Sequence, residues 1–363
     1  MVYPGAVHTR FNHALGAMHL MRQALEVLKR KKVNISKEEY KAAQIAILLH
    51  DIGHGPFSHA LESVIVQGLH HEEMSLALMH SLNKRLEGKL DLAIQMFTGA
   101  YDRPFFHQLV SGQLDMDRLD YLIRDSFFTG VAEGIVGIDR ITKVLNVLEG
   151  RLVVEDKGIY SIEKFIVARR LMYWQVYLHR AAIVAEQLLV RILQRARELV
   201  KSGRQIYLDP DLGYFFHHNV KPDNLNADIL HRYISLDDVT VEYCLQRWRN
   251  SEDLVLSSLC DRLLGRTLLK MRIQPEPFSE SLLTSSREII RQNYGLTEEE
   301  AAYFVFTGKV SNQAYLVHSS EPIVIWSKSG ETKDLSDASD IQNIHTLSAP
   351  VVKYFFCAPE EIM

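Results

Sequence analysis

The stretch that most constrains this chain runs from residue 45 to 59, Ile-Ala-Ile-Leu-Leu-His-Asp-Ile-Gly-His-Gly-Pro-Phe-Ser-His. An apolar run suited to a buried helix ends in the adjacent pair His50-Asp51 and opens into a turn that carries two more histidines, His54 and His59. Gathering so many titratable groups at the end of a buried helix costs several kcal/mol unless something compensates, and a bound cation is the usual compensation. The stretch therefore predicts a metal-centred active site. Gly53, Gly55 and Pro56 break the helix and let the backbone pass close to a ligand. Histidine use elsewhere points to the same half, since nine of the sixteen fall in the first 80 residues.

Composition narrows the function classes. At 363 residues, 47% hydrophobic and 24% charged, the chain has the make-up of a soluble globular protein with one large core or two domains. A net charge of -4 supplies no basic field for nucleic acid or anionic membrane, so any phosphate must be gripped locally. Cys244, Cys260 and Cys357 are odd in number and far apart, which argues against a disulfide framework or a Cys-ligated zinc site and fits a reducing cytoplasm. No apolar run approaches the roughly 20 residues of a membrane span, and the N-terminus lacks the layout of a signal peptide.

Along the chain, helical spacing from Arg10 to about Lys31 places His13 in the first turns of an amphipathic helix. Ser36 with Glu39 resembles a capping box opening the next helix, which runs to His50. A further helix is expected from Ser58 to about Val66, with His59 and Glu62 one turn apart; a carboxylate there holds an imidazole in one tautomer and raises its pKa, as a general acid requires. A surface ion pair is the plainer reading of that spacing. His71-Glu72 opens another helix to about Leu86.

Between Gln113 and Asp125 four aspartates repel one another unless cations, helix amides or a metal neutralise them, the alternative being a solvated charged face. If the segment is helical, Asp117, Tyr121 and Arg124 share a face opposite Leu119, Leu122 and Ile123. Val147 to Tyr160 reads as a small β excursion, and a long helical region runs from Ser161 to about Ser202. That region interleaves Arg169, Arg170, Tyr173, Trp174, Tyr177, His179 and Arg180, which suits either a nucleotide pocket or amphipathic packing with surface arginines. After a break near residue 203, Asp209–Gly213 reads as a loop, helices are expected at 226–233, 236–249, 251–270 and 285–293, and Thr297 with Glu300 caps a short one. Strands are expected at 314–317, 322–326 and 351–357.

The spaced set His13, His50-Asp51 and Asp117 resembles the H…HD…D signature of the HD-domain metal-dependent phosphohydrolases. Its flanks, Tyr3-Pro-Gly-Ala-Val-His-Thr-Arg-Phe-Asn-His13, His50-Asp-Ile-Gly-His-Gly-Pro-Phe-Ser-His59 and Asp115-Met-Asp-Arg-Leu-Asp-Tyr121, resemble the deoxynucleoside triphosphate triphosphohydrolase (dGTPase-like) branch. Three extended blocks in order are far more specific than a bare HD dipeptide. The likeness is strong over the first 200 residues and weak beyond.

The resemblance implies that His13, His50, Asp51 and Asp117 ligate one divalent metal, Asp115 being the rival of Asp117. Two imidazoles and two carboxylates suit Fe, Mn, Zn, Ni or Co, and Mg less well. It implies a catalytic pair in His59 with Glu62, phosphate contacts from His54 and His71, and a grip on the phosphate chain from Arg10, Arg118 and Arg169. Arg118 stands where some relatives have Lys. Tyr121, Asp125 and Tyr177 match positions that contact the sugar and crowd a 2′-hydroxyl. Members of the branch usually carry a segment upstream of the first block that touches the sugar and supports assembly; here the first block opens the chain.

The expected architecture is mainly α, a helical HD domain over residues 1–202 followed by a small mixed α/β C-terminal region over 203–363 that ends in short strands. The expected activity is hydrolysis of dNTPs at the α-phosphorus to deoxynucleoside and triphosphate, in a cytoplasmic homo-oligomer. Two readings compete: an HD phosphohydrolase acting on a nucleoside monophosphate or cyclic nucleotide, and a nucleotide-sensing or nucleic-acid-binding module. The first differs in its products; the second has no support from charge.

Overall fold

Helix starts in this protein are written in its capping residues. The computed structural model describes residues 2–58, 64, 66, 68–317, 319, 321–340 and 347–363. Thr9 caps α1 (Arg10–Arg30) through a reciprocal pair with Asn12. Ser36 and Glu39 do the same for α2 (Lys37–Leu49): the Glu39 amide donates to Ser36 Oγ at 3.0 Å and the Ser36 amide to Glu39 Oε2 at 2.7 Å. The chain continues through α3 (His71–Arg85), α4 (Asp91–Phe97), α5 (Phe105–Val110), α6 (Met116–Thr129) and α7 (Ile138–Val144). The expected β excursion is a hairpin of β1 (Leu145–Leu148) and β2 (Arg151–Glu155), turned by Glu149 and Gly150 at φ 51° and 77°. The expected helix from Ser58 to about Val66 lies mostly outside the described residues.

The long helical region is not continuous. It begins at α8 (Ile159–Met172), passes through a π-helical turn at Tyr173–Tyr177, and resumes as α9 (Arg180–Lys201). The segment Asp209–Gly213, expected as a loop, instead opens α10 (Pro210–His217). Asp209 accepts from the amides of Asp211 and Leu212 while Pro210 takes the first helical position, where its missing N–H costs nothing. Helices α11 (Ala227–Ser235), α12 (Asp238–Trp248) and α13 (Leu254–Leu264) follow. The helix expected to reach residue 270 stops at Gly265, and strand β3 (Lys270–Gln274) begins there instead. After α14 (Glu280–Tyr294) and α15 (Glu298–Ala301), strand β4 (Phe306–Asn312) replaces the strand expected at 314–317. Ala314 and Tyr315 in that segment are buried side chains, and Tyr315 donates to Asp334 at 2.9 Å. The tail supplies β5 (Val324–Trp326), β6 (Thr332–Asp334), α16 (Leu335–Ala338) and β7 (Val351–Ala358).

Two small sheets tie distant segments together. β5 pairs in parallel with β2 in a sheet of order β1-β2-β5-β6, and β7 lies between β3 and β4 in an antiparallel sheet. One buried cluster joins α1, α2, α5, α6 and α8 around Met21, Leu28, Ile47, Phe106, Leu119 and Phe165, and takes in Ile325 and Leu335 from the tail. The other joins α9 to the C-terminal helices and β7 around Leu188, Ile192, Phe215, Trp248, Leu256 and Phe356. Each such large apolar side chain contributes about 1.5–3 kcal/mol on burial. The expected boundary at 202/203 falls directly after α9, whose apolar face belongs to the second cluster. The three cysteines are free and buried, and no helix among the described residues is long and apolar enough to cross a membrane.

Asp253 fastens this second cluster. It caps α13 through the Leu256 amide at 2.9 Å and accepts from Arg195 at 2.7 and 3.0 Å, while Arg195 also reaches Glu300 at 2.8 Å. Burial raises the Asp253 pKa, but the hydrogen bonds from Arg195 and Leu256 and the charges of Arg195 and Arg204 outweigh it and hold the carboxyl below its usual range. Replacement by alanine is expected to cost about 1–3 kcal/mol in urea unfolding near neutral pH, because it removes the α13 cap and one of the two carboxylates that hold Arg195. A pKa lowered on folding means stability that is present above the ordinary carboxylate value and lost as pH falls through the lowered one. The gap between wild type and Asp253→Asn should therefore close as the solution is acidified through that lowered value; a constant gap would count against the network.

Candidate metal centre and active site

Three helices converge on the first candidate residues. His13 comes from the second turn of α1, His50 from the C-terminal end of α2 and Asp117 from the first turn of α6, and their ligand atoms all lie within 4.8 Å of one another. His13 Nε2 is 3.0 Å from Asp117 Oδ1, and His50 Nε2 is 3.5 Å from the same oxygen. Asp51 completes the ring, with Oδ1 3.4 Å from His50 Nε2 and Oδ2 4.0 Å from His13 Nε2. Asp51 also belongs to an adjoining group with His54 and His71, whose rings stack at 3.9 Å.

The rivalry between Asp115 and Asp117 has a geometric answer. Asp115 is fully buried as the N-cap of α6, accepting from the amides of Arg118 at 2.7 Å and Gly112 at 2.9 Å and pairing with the Arg118 guanidinium. Its carboxylate is consumed by the helix start, which leaves Asp117 facing the histidines.

The turn after Asp51 is held by packing rather than by its own sequence. A Cβ on Gly53 would overlap the His71 carbonyl and the Ser75 amide, so only glycine allows α3 to approach this closely. Ser75 Oγ donates to the His50 carbonyl at 2.8 Å and accepts from the Gly53 amide at 2.9 Å, and Tyr233 of α11 donates to the Gly53 carbonyl at 2.8 Å. Phe57 and Ser58 then take φ of 51° and 56°, a left-handed conformation that side chains resist. Asp238 of α12 holds it by accepting from the Phe57 amide at 2.8 Å, and Arg10 holds it through Ser58 Oγ.

Charge balance at the centre fits a cation. His50 Nδ1 donates to the Ile47 carbonyl at 2.6 Å, so in the neutral ring the lone pair lies on Nε2, a buried atom 3.5 Å from Asp117 Oδ1. Burial pulls the imidazoles of His13 and His50 down, yet the facing carboxylates push both up by more, His13 to about 10. Asp117 is correspondingly lowered by the two histidines despite its burial. Metal-free, the cluster balances its charge with protons; a divalent ion among two imidazole and two carboxylate donors does so with better-matched ligand chemistry.

The remaining candidates are held by contacts of their own. Arg10, half-exposed, donates to Asp51 Oδ2 at 2.8 Å. Arg118 is turned to Asp115 and the Gly112 carbonyl. Arg169 is buried, with Nε lacking a hydrogen-bond partner among the described residues. Tyr121 and Tyr177 meet edge to face at 6.0 Å, and the Tyr177 hydroxyl donates to Asp125 at 2.7 Å. Burial and the neighbouring Asp125 hold that phenol well above its ordinary pKa. His59 and Glu62 lie outside the described residues.

Four residues not singled out from sequence also shape the site. His8 bonds Asp125 at 2.7 Å, and Asp120 accepts from His13 Nδ1 at 2.7 Å. Asp120 was legible in principle, three residues after Asp117 and four before Arg124. Ser75 and Tyr233 carry no local signal, because each acts through a fold contact.

Similarity to known proteins places the chain. The profile of the HD domain matches residues 10–122, and that of an HD associated region matches 136–233. The Bacillus subtilis protein YwfO is 30% identical, covering 94% of this chain and 79% of that protein. The crystal structure of a phosphohydrolase from Bacteroides thetaiotaomicron matches 99% of this chain and 89% of its own with a TM-score of 0.93 and 47% identity. The Dictyostelium discoideum homologue of the deoxynucleoside triphosphate triphosphohydrolase SAMHD1 is 28% identical over 56% of this chain and 43% of that protein. The helical fold and the His/Asp cluster at the end of its second helix agree with an HD domain. The chain belongs to the HD-domain phosphohydrolases.

Elemental analysis should therefore find a divalent metal in the purified protein, and His50→Ala and Asp117→Ala should each retain far less. Saturating wild type with Mn to a hundred times its dissociation constant should raise unfolding free energy by about 2.7 kcal/mol. No shift in melting temperature with Mn would argue against a cation at this cluster.

Proposed function

We propose that this phosphohydrolase hydrolyses deoxynucleoside triphosphates at the α-phosphorus, releasing a deoxynucleoside and inorganic triphosphate. The observation that carries the reading is a stripe on α6. Asp117, Tyr121 and Asp125 follow one another at i, i+4 and i+8, so the wall built by Tyr121, Tyr177 and Asp125 begins one turn from the cation cluster. One such step is about 6 Å along the helix axis, the spacing of a nucleotide's sugar from its α-phosphorus. A nucleotide laid along α6 would set its phosphorus at Asp117 and its sugar against the two tyrosines, the positions that by resemblance crowd a 2′-hydroxyl. The relatives named as deoxynucleoside triphosphate triphosphohydrolases support the same substrate class.

His13, His50, Asp51 and Asp117 would hold the divalent ion. When bound, it supplies Lewis-acid stabilisation of charge on the α-phosphoryl oxygens. Arg10 and Arg169 would grip the phosphate chain, with Arg118 joining only if it turns from Asp115, and the unpartnered Nε of buried Arg169 favours an anion there, a charge-assisted contact worth about 1.5–3 kcal/mol. His54 and His71 add donors beside Asp51. A water oxygen forms the new bond to the α-phosphorus as the bond to O5′ breaks, and O5′ leaves with the electron pair. By the resemblance, His59 paired with Glu62 would deliver the proton that makes O5′ a hydroxyl, and the proton shed by the attacking water passes to solvent, from which His59 is reprotonated.

Incubation with each dNTP and Mn, followed by anion-exchange separation, should yield deoxynucleoside and intact triphosphate, and Asp51→Ala should yield neither. Release of orthophosphate or diphosphate instead would overturn the α-phosphorus assignment. Arg169→Ala should lower kcat/KM about 10–100-fold, the equivalent of one charge-assisted contact.

A further inference from the structure

The two histidines of the cluster are oriented in different ways, and the difference exposes a device. His50 sits at a helix end, where a free backbone carbonyl, that of Ile47, accepts from its Nδ1 at 2.6 Å. His13 lies inside α1, where the backbone carbonyls are committed to the helix, so its Nδ1 must find a side chain. It finds Asp120, whose Oδ2 lies 2.7 Å away. Asp120 is itself gripped in bidentate fashion by Arg124, Nε to Oδ2 at 2.8 Å and Nη2 to Oδ1 at 2.9 Å. Both carboxylate oxygens are thus fixed before the imidazole is met, and the carboxylate is buried.

A second observation is independent of these hydrogen bonds. Gly16, one turn after His13 on α1, is a glycine inside a helix, where the residue is normally a liability. A Cβ on it would overlap Asp120 Oδ1 and Arg124 Nη2. The absent side chain is the space that the ion pair occupies.

The geometry points to Asp120 and Arg124 as a positioning clamp that holds His13 with Nδ1 as donor and Nε2 aimed at the cation site, and to Gly16 as the residue that admits the clamp between α1 and α6. Asp120 touches neither cation nor substrate; it acts through His13. Partners of this kind fix the tautomer and ring plane of a ligating imidazole, and their loss typically costs about 10–100-fold in metal affinity. The inference rests on reading His13, His50, Asp51 and Asp117 as a cation site.

The test is Co(II) binding to the full chain, read by competition with a chromophoric chelator and by the visible ligand-field bands, with no substrate present. Asp120→Asn should bind about 10–100-fold more weakly and shift the bands. Arg124→Gln should weaken binding by less. Gly16→Ala is the discriminating variant: it improves helix propensity, so its metal-free form should keep its fold by circular dichroism while losing affinity for Co(II). Wild-type affinity and bands in both Asp120→Asn and Gly16→Ala would overturn the clamp while leaving the cation site standing, even if metal-free variants melted lower. Failure of the wild type itself to take up Co(II) would overturn the cation site and the clamp with it.

Discussion

Mutual neutralisation of imidazoles and carboxylates where α1, α2 and α6 meet is the interaction on which the rest of the molecule depends. Burying His13 and His50 alone would drive them neutral, and burying Asp117 and Asp120 alone would drive them protonated. Interleaved at 2.7–3.5 Å, each group makes the charge of its neighbour affordable, which is why the histidines are raised and the aspartates facing His13 lowered. Those helices are otherwise packed by alanine, leucine and methionine, so the polar centre sits in an apolar shell where charge interactions are weakly screened. The same low screening would favour a small cation among these donors, as the proposed function requires.

The rest of the fold serves to keep that centre in register. The strained turn at Phe57 and Ser58 is held from two directions: Arg10 of α1 grips Ser58, and Asp238 of α12 grips the Phe57 amide. Tyr233 of α11 adds a third hold at Gly53. The C-terminal region is therefore part of the site's scaffold, and the parallel pairing of β5 with β2 returns the tail to the N-terminal core. Strain stored in a turn persists only when the surroundings over-determine it, and here they come from segments more than 200 residues apart, Arg10 and Asp238.

Phosphate recognition follows from the same geometry. On the proposed reading, an acidic chain that cannot attract nucleotides by net charge would grip them through single guanidinium groups, Arg10 toward solvent and Arg169 buried. The aromatic wall of Tyr121 and Tyr177 is pinned by Asp125, which accepts from both the Tyr177 hydroxyl and His8. Rigid tyrosines discriminate by shape, and a hydrogen-bonded phenol is more rigid than a free one.

Much of the site was legible in the sequence because its parts are local. The His50-Asp51 pair at the end of an apolar run, the Ser36 capping box and the aspartates before Tyr121 each declare a helix end or a polar face within a few residues. Other local signals misled: Asp209-Pro210 spelled a helix start and was read as a loop, and residues 314–317 have strand composition but serve as buried side chains of an irregular segment. What only the tertiary structure decided was which groups meet. Asp115 and Asp117 are equivalent by composition, and the N-cap geometry of α6 consumes one and presents the other. Asp120 lies 107 residues from His13, and Tyr233 lies 180 from Gly53. Sequence determines the chemistry a segment can perform and the helix that carries it, because periodicity and capping act over one or two turns. Partners across such distances are set by how apolar faces pack, and that sum over the whole core has no local spelling.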